Sequence, residues 1–103
     1  MRDTASTALD RALELSQELL EVAEAGDAAR ISSLDAQRRA LLKSVREARR
    51  PLDQRELSVL RTIADLNALS LGKMEHRLRA KCRDLDMLAA GRRAVRAYGH
   101  TGS

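Results

Sequence analysis

The sequence predicts an all-α fold: an antiparallel helical hairpin packed on a long third helix, with a short C-terminal helical segment. Three observations predict it. The 103 residues include 17 Leu and 17 Ala but only 2 Ile, 4 Val, 1 Tyr and no Phe or Trp, so the β-branched and aromatic side chains that strands favour are nearly missing. One Pro and five Gly leave too little turn material for a sandwich, a barrel or a phosphate-cradling loop. Apolar residues recur at three- and four-residue steps along most of the chain, which is the helical period. A chain of this length makes one domain.

The first helix is expected over Thr4–Ala25, where Leu9, Leu13, Ser16, Leu19, Leu20 and Ala23 form one broad stripe flanked by Ala12, Leu15 and Val22. Gly26 stands where a helix C-terminal glycine would, and Asp27 is a candidate N-cap for the next helix. So short a connection forces an antiparallel hairpin. The second helix, Asp27–Arg50, carries Ile31, Leu34, Leu41, Leu42 and Val45, interrupted at Arg38, and Pro51 stops it by steering the preceding residue away from helix. Asp53 and Glu56 are spaced as a capping box and Leu52 and Leu57 as a hydrophobic staple, so the third helix starts at Gln54. Leu60, Ala64, Asn67, Leu71, Met74, Leu78, Lys81, Leu85 and Leu88 then alternate steps of four and three, a coiled-coil seam broken by the polar Asn67 and Lys81. Gly72 is a candidate bend. Gly91 marks either the end of the helix, near Ala90, or a second bend, a short segment Arg92–Tyr98 follows, and residues 99–103 are expected to form a disordered tail.

At 1.5 Å per residue the first two helices reach about 33 Å each, whereas Gln54–Ala90 reaches about 55 Å. The third helix is therefore too long for its partners. Leu60, Ile63, Ala64 and Leu71 read as core or dimer contact. The edge Leu71, Met74, Leu78, Cys82, Leu85 and Leu88 is the expected partner-binding face, to be covered by a second copy of the chain, a helix of another protein, or the C-terminal segment folding back. Flexible Met suits a groove that accepts partner helices.

Charge is divided by segment. Residues 1–27 hold 2 basic and 7 acidic groups and residues 28–50 hold 7 and 2, so the hairpin pairs helices of opposite sign. Residues 73–103 hold 8 basic and 3 acidic groups, and the excess of the formal +4 charge sits beyond the hairpin. The basic run Lys73, Arg77, Arg79, Lys81 and Arg83 could neutralise phosphates. It is interleaved with Glu75, Asp84 and Asp86 and has no aromatic interleaving for base stacking, so the reading favoured is a solvated face. A membrane-surface role ranks lower, since the apolar face lacks aromatic anchors.

Nothing in the sequence assembles catalysis. The non-carboxylate candidates His76, His100, Cys82 and Tyr98 form no catalytic or phosphate-binding signature. His76 reads as a solvated helix residue and Cys82 as a small buried hydrophobe. A single cysteine makes no intrachain disulfide, and two distant histidines build no zinc site. No enzymatic activity, cofactor or metal is expected. The N-terminal residues lack the continuous apolar stretch of a signal peptide, and apolar runs are too short to cross a bilayer, so the expected location is the cytoplasm.

Ala12-Leu13-Glu14-Leu15-Ser16-Gln17-Glu18-Leu19-Leu20-Glu21-Val22-Ala23, closed by Gly26-Asp27, resembles the opening of the FliT-type flagellar export chaperones. Arg38-Arg39-Ala40-Leu41-Leu42 is similar to the end of that family's second helix, Asp65-Leu66-Asn67 to a turn of its third, and Arg92–Gly99 to its final segment. The resemblance covers residues 8 to 99. It departs at Ala28-Ala29, where the family usually has an aromatic residue, and in a pI near 10.0 where such chaperones tend to be acidic. The resemblance implies a chaperone that holds a helical segment of the filament-cap protein and delivers it to the export ATPase complex. In some lineages such a chaperone also binds a flagellar transcription regulator. It also implies that Arg92, Arg93, Arg96 and Tyr98 belong to a regulatory C-terminal segment. The alternative from the residues alone is a non-catalytic helical dimerisation module with nucleic-acid affinity through its basic C-terminal half.

Overall fold

The computed structural model describes residues 3–101, with side chains described over residues 3–97. Three helices follow one another, α1 (Thr4–Ala25), α2 (Ala28–Glu47) and α3 (Gln54–Thr101). Each boundary has a local chemical cause. Asp3 caps α1 by accepting from Ser6 N at 2.9 Å. Gly26 ends α1 in the left-handed conformation at φ 76°, and its N–H donates to Val22 O. The Asp27 carboxylate accepts from Arg30 N at 3.1 Å to open α2. At α3 the capping box is complete: Glu56 N donates to Asp53 Oδ1 at 2.8 Å and Asp53 N donates to Glu56 Oε1 at 3.1 Å.

Helix α1 is the centre of the molecule. It packs on α2 and on α3, while no Cα of α2 comes within 8 Å of one of α3 among the described residues. Its sequence allows this because it buries a wide face, Ala5, Ala8, Leu9, Ala12, Leu15, Ser16, Leu19, Val22 and Ala23, with small residues that admit close helix approach. Arg55 to Asp10 at 2.8 Å and Lys73 to Glu24 at 3.4 Å show that α3 runs parallel to α1.

The core is in two parts. Near the α2–α3 loop, Leu9 and Ala12 meet Ile63, with Leu42, Val45, Leu52 and Leu60 packed around them, so all three helices contribute. Near the α1–α2 turn, Leu15, Leu19, Val22 and Leu34 join α1 to α2, and α3 adds nothing to the cluster. There α3 is anchored by polar groups instead: Arg77 Nη1 donates to Glu24 O at 2.8 Å, capping the end of α1. A Cβ on Gly26 would lie 2.2 Å from Arg77 Nη2, so this glycine serves both its own φ and the approach of α3.

Several expectations are corrected. The second helix begins at Ala28 and ends at Glu47 rather than spanning Asp27–Arg50, because Asp27 is the cap and Arg49 turns the chain with φ 52° before the proline. The third helix does not stop at Ala90. It passes Gly72 and Gly91 and takes in residues 92–98 and 99–101, so no separate C-terminal segment folds back; residues 102 and 103 lie outside the described residues. One glycine costs about 1 kcal/mol in a helix, and the Leu, Ala and Arg around Gly91 are good helix formers that outweigh it. Ala64 and Leu71 are exposed rather than core, since α2 does not close over that face of α3. Cys82 is exposed, not buried, because no described residue covers α3 there, beyond the hairpin. Of the expected staple, Leu52 packs into the core but Leu57 stays 41% exposed.

Candidate functional site

Because the backbones of α2 and α3 each pack on α1 but stay more than 8 Å from one another, a trough runs between them with α1 as its floor. Its first stretch is a cavity of about 380 Å³ floored by Leu19 and Ala23, with Ile31 and Arg38 on the α2 side and Ser70, Leu71, Met74 and Leu78 on the α3 side. A second stretch of about 400 Å³ continues it past Leu42, Leu60 and Ile63 and shares Asp35, Arg38, Asn67 and Leu71 with the first. A third, about 340 Å³, carries it on to Val45, Arg50 and Leu52. From Leu60 to Lys81 it follows α3 for about 30 Å, the length of a helix of about 20 residues.

Arg38 and Asn67 stand where the first two stretches meet. Arg38 Nη2 donates to Asp35 Oδ1 at 2.7 Å and to Asn67 Oδ1 at 2.8 Å, and this is how the polar interruptions of two separate stripes find each other. Both interruptions are legible in the sequence, but their pairing is not, since it depends on which faces of α2 and α3 border the trough. The remaining charges at the trough are mostly basic. Arg39, Arg46, Arg50, Arg77 and Lys81 border it, and Asp35 is the one acid among the lining residues.

The expected partner-binding residues divide into two groups. Leu71, Met74 and Leu78 line the trough together. Cys82, Leu85 and Leu88 lie past the end of the hairpin on the free part of α3, where Leu85 is 64% and Leu88 58% exposed. This overhang also presents Met87 and Val95, 73% and 71% exposed. Arg92, Arg93 and Arg96 are exposed along the same helix, and the side chain of Tyr98 lies outside the described residues. His76 is exposed, and no group of three metal-ligating side chains occurs among the described residues. No described helix is long and apolar enough to cross a membrane.

A scan against family models matches this chain to one described as "Flagellar protein FliT", over residues 6–100. The chain belongs to the FliT family. The match takes in nearly all of α1, all of α2, the trough and nearly all of α3, so the surfaces described above lie inside the family region. No curated protein and no solved structure gives a match. The FliT family is one of chaperone-type flagellar proteins, and this member builds its surface on a three-helix arrangement open along one side.

Proposed function

We propose that this FliT-family chain is a cytoplasmic export chaperone that receives a helical segment of the filament-cap protein in the trough between α2 and α3 and hands it to the export ATPase complex. The observation that carries this reading is the trough itself. Three helices leave an apolar floor and two walls of the right length for a fourth, with Leu71 and Leu78 exposed and Met74 half-buried along it. The overhang, with Leu85 and Leu88 exposed, offers either a continuation of that surface or a seam for a second copy. A transcription regulator would compete for the same surface.

The test is the double variant Leu71→Asp with Leu78→Asp, measured by capture of the filament-cap protein and by equilibrium sedimentation. Charge placed there is hydrated in the free chaperone and desolvated in the complex. The expected result is loss of capture, at least about a hundredfold in affinity, with helicity and sedimentation unchanged. Normal capture by the variant would defeat the reading. A capture that weakens steeply with salt in the wild type would point instead to phosphate-like neutralisation by the basic overhang.

A further inference from the structure

Two buried groups at the trough lack hydrogen-bond partners. Arg38 is 8% exposed and spends Nη2 on Asp35 and Asn67, but its Nη1 is buried with no partner. Ser70, 2% exposed and one turn along from Asn67, has its hydroxyl in the same condition. Both residues line the first cavity. A donor left unsatisfied in a dry site is costly, most of all on a charged group, and an acceptor that arrives with a ligand removes that cost.

We propose that the trough selects an acidic amphipathic helix, one whose apolar ridge is interrupted by a single Glu or Asp that Arg38 Nη1 and the Ser70 hydroxyl receive. This rests on reading the trough as the client surface. Charge decides the occupant. Asp35 already serves Arg38 and Arg39, at 2.7 Å each, so the bordering cations have no further acid among the lining residues to meet them. A carboxylate brings negative charge and two oxygens in the geometry a guanidinium matches. The chain's own C-terminal stretch and that of a second copy are the wrong sign, because residues 73–103 hold 8 basic and 3 acidic groups and would set cation against cation. An arginine in the wall also supplies discrimination that an all-leucine groove lacks, since a helix without the acceptor leaves it buried and unpaired.

The probes are four helical peptides of about 20 residues with one Leu/Ala ridge, identical except that a central ridge position is Glu, Gln, Leu or Lys, their net charge equalised on the opposite face. Binding to the full chain is followed by fluorescence anisotropy. The expected ranking places the Glu peptide at least about tenfold tighter than the Leu and Lys peptides, and Arg38→Gln brings the ratio of Glu-peptide to Leu-peptide affinity down toward one. Should Arg38→Gln fail to fold, the wild-type ranking alone decides. Equal binding of all four peptides overturns the selection of an acidic helix and leaves the trough reading standing. No binding by any of them overturns both. A dimer by sedimentation that the Glu peptide does not dissociate assigns the trough to a second copy and overturns the proposal as well.

Discussion

Arg50 joins three places that are distant in sequence. Its Nε donates to Asp3 Oδ2 at 2.6 Å and its Nη2 to Glu56 Oε2 at 2.6 Å, linking the cap of α1 and the capping box of α3 to the end of the α2–α3 loop. The hydrogen bonds from Arg50 hold the carboxyls of Asp3 and Glu56 down to about 2, aided by backbone N–H donors from Ser6 and Asp53 respectively. Arg50 itself is pushed further up and stays charged. Both carboxyls titrate lower in the folded chain than in the unfolded one, where they sit at about 4. Their stabilisation is therefore complete above the unfolded value and is lost as pH falls through about 4 toward 2. Thermal melts followed by circular dichroism should show Tm falling across that window. In Arg50→Met the melting temperature is expected to be lower at neutral pH and the fall below pH 4 much shallower; a parallel fall in the variant would assign the acid sensitivity to other groups.

At the scale of the element, α3 is the helix whose two halves obey different rules. Its first half is held by packing against α1, through Ile63 and the partly buried Val59 and Leu60. Beyond Arg77 no described residue is buried, so the overhang keeps its helix on intrinsic propensity alone, which is marginal for an isolated stretch of that length. Gly91 is then its weakest position, and a Cβ there meets nothing within 4 Å. Replacing it with alanine should stabilise the local helix by about 1 kcal/mol. The measurement is hydrogen exchange of the amides around residue 91. Slower exchange there, with protection of α1 unchanged, is the expected outcome, and no change would mean that the overhang is already held by a partner. The sequence places a helix here correctly, but it suggests a stop at Gly91 because glycine's cost is visible residue by residue while the summed propensity of its neighbours is not.

The whole molecule is a rod, 80 Å long and 20 Å in each other direction, with a radius of gyration of 21.6 Å. A compact domain of this size would have a radius near 13 Å. The difference comes from the overhang, which adds length without adding core. Small-angle scattering from a monomer should therefore return a radius close to 21.6 Å. A clearly smaller value at monomeric mass would mean that the C-terminal stretch returns to the hairpin. Addition of a bound client helix should fill the trough and change the length little. The rod also separates charge: the acid-rich α1 lies between its neighbours, and the basic excess is carried outward along α3.

The sequence by itself determined the helices, their caps and the overhang. Those follow from local rules: Asp3 and Asp27 as caps, Gly26 with its left-handed φ, the reciprocal bonds of Asp53 and Glu56, and a third stripe longer than the other two can cover. From that mismatch in length it also singled out the edge Met74, Leu78, Cys82, Leu85 and Leu88, of which Met74 and Leu78 line the trough beside Leu71 while Cys82, Leu85 and Leu88 lie past the hairpin. What only the tertiary structure decided is that α1 stands between the others, that α2 and α3 stay apart, and that Arg38 meets Asn67 across the gap. A periodic stripe states that a helix has a face to bury without stating against what. Which faces meet depends on how the small residues Ala8, Ala12 and Ser16 let two helices share one neighbour, a property of three surfaces fitted together rather than of any one of them.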